Sequence, residues 1–69
     1  MIIKGDVNGD FLITIEDVVL ATAFFENKLS PEDWQLVAAD IDGDGVVTQQ
    51  DVLRIGNHVR GIEIINEVV

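Results

Sequence analysis

Cysteine is absent from this 69-residue chain. That excludes disulfides, a thiolate zinc site and a cysteine nucleophile. The one histidine, His58, cannot build a zinc site by itself. Basic residues are scarce: four Lys and Arg stand against thirteen Asp and Glu, a net charge of −9. Binding to nucleic acid or to an anionic membrane surface needs clustered cations, so we expect neither. No apolar run approaches the roughly 18–20 residues of a membrane span. The opening MIIKGD lacks the ordered basic and apolar regions of a signal peptide. Met1 runs almost directly into the first motif, as expected of a module from a longer protein whose targeting signal lies elsewhere.

What remains is a single small domain, residues 1–69. At 48 % hydrophobic it is too apolar for an acidic disordered tail. Yet a core of this size contributes only about 3–5 kcal/mol, so a staple is needed. Without cysteine, that staple is an oxygen-bound metal or a partner protein. The acids point to the metal, because seven of the thirteen fall in two short stretches: Asp6, Asp10 and Asp17, then Asp40, Asp42, Asp44 and Asp51. Like charges packed so closely need a cation among them.

The two stretches are copies. A shift of 34 residues pairs Asp6 with Asp40, Asn8 with Asp42, Asp10 with Asp44, Ile13 with Val47, Thr14 with Thr48 and Asp17 with Asp51. The pattern D-x-[DN]-x-[DN]-G with a carboxylate at the twelfth place is a calcium-loop signature. A tight loop turns the oxygens of its first, third and fifth residues toward one ion, the seventh offers a backbone carbonyl, and the twelfth closes the site. The expected ligands are Asp6, Asn8, Asp10, the Leu12 carbonyl and Asp17 in the first loop. In the second they are Asp40, Asp42, Asp44, the Val46 carbonyl and Asp51. Thr14 and Thr48 stand where they can bind directly or through water. Ile13 and Val47 are expected to meet as a short two-stranded bridge between the loops.

One position breaks the symmetry. The sixth place, Gly45 in the second loop, is Phe11 in the first. That place needs a left-handed backbone, which a bulky side chain enters at a cost of about 1–2 kcal/mol. The first loop also has Asn8 where the second has a carboxylate. Two calcium sites are expected, the first weaker than the second.

Thr14-x-x-Asp17 and Thr48-x-x-Asp51 read as capping boxes, so each loop runs into a helix. Val18, Ala21, Thr22 and Phe25, and their counterparts Val52, Ile55, Gly56 and Val59, form one apolar stripe per helix. Gly61 is the expected end of the last helix. Ser30-Pro31-Glu32-Asp33 starts a linking helix over about 31–39, with Ser30 as its cap and Trp34 in the core. Off the stripe the two helices differ. Val19, Leu20, Ala23 and Phe24 correspond to Leu53, Arg54, Asn57 and His58, so the first helix is apolar nearly all round. Either the linking helix or the tail (Ile62, Ile64, Ile65, Val68, Val69) covers its outer face, or that face binds a partner.

These residues resemble a dockerin. The likeness lies in GDVNGD, in ADIDGDGVVTQQDVLRIGNHVRG, in Asp at both twelfth places, and in the missing helix before the first loop. The resemblance covers about residues 5–61. It implies an all-α domain of two calcium-loop–helix repeats, about 5–28 and 39–61, joined by the linking helix and followed by a tail over 62–69. It further implies a calcium-dependent module, carried by an extracellular or cell-surface protein, that binds a cohesin domain and anchors its parent in a cellulosome-like complex. The contact places carried over from the family are Ile15, Glu16, Thr22, Ala23 and Asn27 in the first repeat. In the second they are Gln49, Gln50, Gly56, Asn57 and Gly61. With the off-stripe residues Val19, Leu20, Phe24 and Leu53 added, the surface is chemically lopsided: Ile15-Glu16 faces Gln49-Gln50. One preferred binding orientation, centred on the first helix, is expected. The contact places lack the Ser-Thr pair of one dockerin group, so the class of cohesin is left open.

The alternative is an EF-hand-like calcium buffer, sensor or structural module with no cohesin partner. A sensor of that kind favours four helices, a Glu at each twelfth place and a Met-rich groove, whereas the one Met here is Met1. An enzyme is not expected. Nearly every clustered acid already has a ligand place, a chain this short leaves little room for a small-molecule substrate, and His58 reads as a surface residue.

Overall fold

The computed structural model describes residues 1–65 and 67–69. Three helices follow in order: α1 (Ile15–Phe25), α2 (Asp33–Ala39) and α3 (Gln49–Val59). Among the described residues there is no strand, only one antiparallel bridge, between Ile3 and Val68. The domain is all-α, and α1 packs directly against α3.

Both long helices start as their capping residues dictate. Thr14 and Thr48 are extended, with φ of −132° and −119°. Their backbone N–H groups donate to the Asp17 and Asp51 carboxylates at 2.8 and 2.9 Å. Both helices also stop in the same way. Asn27 and Gly61 adopt positive φ, 61° and 76°, and the next N–H turns back to the helix: Lys28 to the Ala23 carbonyl at 2.9 Å, Ile62 to that of Asn57 at 2.8 Å. This is the Schellman closure, entered by Gly61 freely and by Asn27 as the side chain most tolerant of that conformation.

The helical phase differs from the expected stripe by one residue. The twelfth-place aspartates point into their loops and are fully buried, and the residue four further on faces inward with them in both helices, joined in α1 by the residue seven further on. The buried line of α1 is therefore Asp17, Ala21 and Phe24. Phe24, expected on the outer face, is a core residue at 7 % exposure, and Phe25, expected in the core, is 40 % exposed. The core unites Val7, Ala21, Phe24, Ala39, Ile41, Ile55 and Ile65, with Ile13, Val18, Leu20, Val47 and Val52 packed partly against it. Val7 and Ile41 are the second residues of the two loops, so each loop anchors itself in the core it encloses.

Three further expectations change. The linking helix begins at Asp33, because Glu32, extended at ψ 164°, is its cap rather than Ser30, and Gln35 Oε1 accepts the Glu32 N–H at 2.9 Å. Trp34 lies at the surface, its Nε1–H donating to Glu32 Oε2 at 2.9 Å, its ring against Gly9 of the first loop. Ile13 and Val47 form no bridge and instead each pack partly against the core.

The chain ends are tied together. Ile2 and Val69 exchange both backbone hydrogen bonds at 2.6 Å, and Lys4 N–H donates to the Glu67 carbonyl at 2.9 Å. Upstream, Ile65 inserts into the core while its N–H donates to His58 Nδ1 at 2.9 Å, and Glu63 pairs with Arg54 at 3.0 Å. The tail thus lies along α3 and the N-terminal segment.

Candidate functional site

The two acidic loops are near-copies in geometry. Asp6 Oδ1 accepts the N–H groups of Gly9 and Asp10, both at 3.1 Å, and its Oδ2 accepts that of Phe11 at 2.9 Å. Asp40 does the same with Gly43, Asp44 and Gly45 at 3.1, 3.2 and 2.7 Å. Asp17 holds the N–H groups of Val7, Asn8 and Thr14, and Asp51 those of Ile41, Asp42 and Thr48. Asn8 Oδ1 occupies the role of Asp42 Oδ1, each accepting the N–H two residues on at 3.2 Å. Phe11 takes φ +68° where Gly45 takes +91°, so the strained position is kept rather than avoided. The loop holds its shape around a side chain that is 69 % exposed.

Carboxylate oxygens of Asp40, Asp42, Asp44 and Asp51 lie within 4.8 Å of one another, as do those of Asp6, Asp10 and Asp17. Two ligands on opposite sides of a calcium ion, each about 2.4 Å away, are separated by about that distance. The donor set is entirely oxygen, which suits a hard cation. A carboxylate offers about four lone-pair places. Asp6, Asp17, Asp40 and Asp51 each spend three on backbone N–H groups, which fixes their direction; Asp51 accepts the Thr48 hydroxyl as well, at 3.3 Å, while the other three keep capacity toward the centre of the loop. Thr14 Oγ1, at the ninth place, is buried without a hydrogen-bond partner, an orphan oxygen where an ion or its water can be met. The residues fit the group.

The electrostatics point the same way. Burial raises the Asp17 carboxyl above the usual range, the N–H donors of Thr14, Asn8 and Val7 pull it back, and the Asp6 charge adds to the rise. Burial also acts against ionised Asp40, but the Gly45 N–H and the bonds to Asp42 and Asp44 outweigh it and hold that group low. Asp42 is pushed up, by desolvation first and by the neighbouring Asp40 next. Carboxylates crowded to this degree split their titrations unless a cation lies between them.

A second feature lies on the surface of α1. Ile15 and Val19 are 62 % and 64 % exposed, and with Leu20, Ala23 and Leu29 they line an apolar groove edged by Asn8 and Glu16. Among the described residues, neither α2 nor the tail lines it. On α3, Gln49, Gln50 and Leu53 are exposed and Asn57 half-buried, and Asn27 sits in the closing turn of α1. Of the expected contact residues only Phe24 is withdrawn into the core.

The family described as Dockerin type I domain matches residues 4–60. The chain belongs to the dockerin family. Dockerins are protein-interaction modules rather than enzymes, and they bind calcium, an ion that the acidic clusters could hold. Two solved complexes are similar to this dockerin, both of the third cohesin ScaC with the ScaB dockerin from Acetivibrio cellulolyticus, displaying a type I interaction. In one the dockerin carries an IN to SI mutation in its N-terminal helix; that match has a TM-score of 0.86 and 27 % identity over 94 % of this chain and 92 % of that one. In the other the mutation is in the C-terminal helix, with a TM-score of 0.80 and 30 % identity over 88 % and 86 %. The comparison with curated proteins found no match. No helix among the described residues is long and apolar enough to cross a membrane.

Four features of this dockerin escaped the sequence reading. Val7 and Ile41 looked like loop filler, yet a 34-residue match of two apolar residues between ligand places was a usable signal. His58 holds the tail, Lys4 Nζ donates to the Asp40 carbonyl at 2.8 Å, and Trp34 covers Gly9. The last two are long-range contacts with no local pattern, and the first joins residues seven apart across the end of α3.

Proposed function

We propose that this dockerin binds a cohesin domain in a calcium-dependent way and so anchors its parent protein in a cellulosome-like complex, outside the cell or at its surface. The observation that carries the reading is the uncovered apolar groove on α1. A small domain with a net charge of −9 gains nothing for its own fold by exposing Ile15 and Val19 there, whereas a partner that covers them removes apolar surface from water. Two calcium ions hold the loops, and the second site is the tighter because the first has Phe11 and Asn8.

The contact is centred on α1 and has one preferred orientation. Ile15-Glu16 and Gln49-Gln50 present different chemistry to a partner turned by a half-rotation, which favours a single setting. Glu16, Val19, Leu20, Ala23 and Asn27 belong to the larger, apolar half of the surface; Gln49, Gln50, Leu53 and Asn57 form the polar remainder.

The test is capture by immobilised cohesins, the third ScaC cohesin of Acetivibrio cellulolyticus among them, with calcium and again with chelator. Calcium-dependent capture is expected, lost in Leu20→Asp and Ala23→Asp. Unchanged affinity in those variants, with loss in Asn57→Asp, would refute the assignment to α1. No capture of folded, calcium-loaded protein by any cohesin would leave a calcium-binding domain without this partner.

A further inference from the structure

Gly56 stands in the interior of α3, where glycine is the poorest choice after proline. Its own fold gives no reason for it. A Cβ built there meets nothing within 4 Å, and its φ is not among the positive values that favour glycine. The missing side chain instead opens a groove between α1 and α3, with Gly56 as its floor, Ile15, Val18, Val52, Leu53 and Val59 as its walls, and Arg60 at one end.

Arg60 is as unusual as the glycine. Among the described residues its guanidinium makes no ion pair, only a hydrogen bond to Asn57 Oδ1 at 2.8 Å, although the chain carries thirteen acids. By contrast Lys28 and Arg54 are paired with Glu26 and Glu63.

The internal repeat supplies a comparison. A shift of 34 residues maps Gly56 onto Thr22 and Arg60 onto Glu26. The corresponding depression, lined by Val18, Val19, Thr22, Ala23, Glu26 and Lys28, is open as well, but its floor carries a side chain where the other has none. Thr22 stands there and turns its hydroxyl back to the Val18 carbonyl at 2.7 Å. Its charge differs too, since Glu26 paired with Lys28 at 3.4 Å takes the place of Arg60. The repeat that makes the two calcium loops alike therefore does not make the two grooves alike.

We infer that the groove floored by Gly56 receives an apolar side chain of the cohesin that stands beside a carboxylate, the carboxylate meeting Arg60, and that this pairing sets the orientation of binding. The inference rests on the cohesin reading above and names the chemistry its partner must carry. Continuity supports it, because Ile15 lines both this groove and the apolar one on α1. Charge complementarity gives the direction. In the rotated setting the same partner would bring its side chain over Thr22 and its carboxylate to Glu26, which Lys28 already pairs. A carboxylate gains less there than beside Arg60, and the Thr22 side chain takes up floor that Gly56 leaves free.

The experiment compares intact protein with Gly56→Ala, Gly56→Leu, Arg60→Glu and Glu26→Gln, all calcium-loaded, against the panel of immobilised cohesins. Gly56→Ala is expected to raise the melting temperature by about 4–8 °C, since a better helix former enters open space. A fall would show that the glycine serves the fold and would overturn the inference. Gly56→Leu and Arg60→Glu are each expected to weaken capture at least about tenfold while the helical circular dichroism is kept, and Glu26→Gln to stay within about twofold. Parent-like capture by Gly56→Leu and Arg60→Glu would overturn the groove while leaving the cohesin reading in place. Capture of no protein at all, the parent included, would overturn both. Sedimentation without cohesin should give a monomer; a dimer dissolved by Gly56→Leu would assign the groove to a second copy of the chain and overturn the proposal.

Discussion

Replacing Phe11 with glycine should tighten the first calcium site. Phe11 holds φ +68° at the sixth place of its loop, the place where Gly45 holds +91° in the second. A bulky L-residue in that region costs about 1–2 kcal/mol relative to glycine. Little packing is lost with the ring, which is 69 % exposed. Against the relief stands the extra freedom of glycine in the disordered loop, about 0.4–1 kcal/mol. The balance is about 1 kcal/mol, or roughly fivefold in Kd. The mirror change, Gly45→Phe, should weaken the second site by a similar roughly fivefold factor, through backbone strain alone, because a Cβ at Gly45 meets nothing within 4 Å. Stepwise calcium calorimetry reads both changes. Trp34 assigns the steps: it is the one tryptophan of the chain, and its ring carbon lies 3.1 Å from where a Cβ on Gly9 would sit, so its emission follows the first loop. Affinity of Phe11→Gly within twofold of the parent, with Gly45→Phe equally silent, would show that the left-handed place carries no strain and that the argument from φ is wrong.

Excess EDTA should collapse the helical circular dichroism of the parent, since a core worth about 3–5 kcal/mol cannot hold two crowded carboxylate clusters without cations; an unchanged spectrum would count against metal as the staple. Asp51→Ala removes the acceptor of three backbone N–H groups from a fully buried position. It should cost about 3 kcal/mol or more in urea unfolding with calcium present, and abolish the second site in calorimetry. Ile65→Ala should cost about 2–5 kcal/mol and lower the hydrogen-exchange protection of the Lys4 and Val69 amides, as the tail detaches from the core; protection equal to the parent would mean that the paired termini hold without Ile65.

Much of this dockerin was legible in its sequence because its chemistry is local. Each acidic cluster lies within twelve consecutive residues, and that spacing brings the carboxylates of Asp6, Asp10 and Asp17 together. Both capping boxes and the Gly61 stop follow from residues three or four places apart. The need for a left-handed sixth residue could also be read, and Phe11 adopts it. The phase of the helices was harder. Counting apolar residues gave a stripe through Val18 and Phe25, whereas the burial of Asp17 and Asp51 among the backbone N–H groups of their loops sets the rotation and brings Phe24 inward. A polar residue fixed the hydrophobic face, and a reading of apolar periodicity alone passes over it.

The sequence by itself determined the two loops, the helices they cap, the all-α class and the imbalance between an oily first helix and an amphipathic last one. Each of these depends on neighbours along the chain, where covalent spacing already limits the distance. Only the tertiary structure decided what covers what. It put the tail along α3 with Ile65 in the core and Ile2 paired to Val69, and left Ile15 and Val19 in water. It moved Trp34 from the core to the first loop and set Gly56 and Arg60 along one groove between α1 and α3. Those outcomes are choices among segments up to 67 residues apart. They turn on which apolar surfaces can be buried together, a competition that no local pattern records.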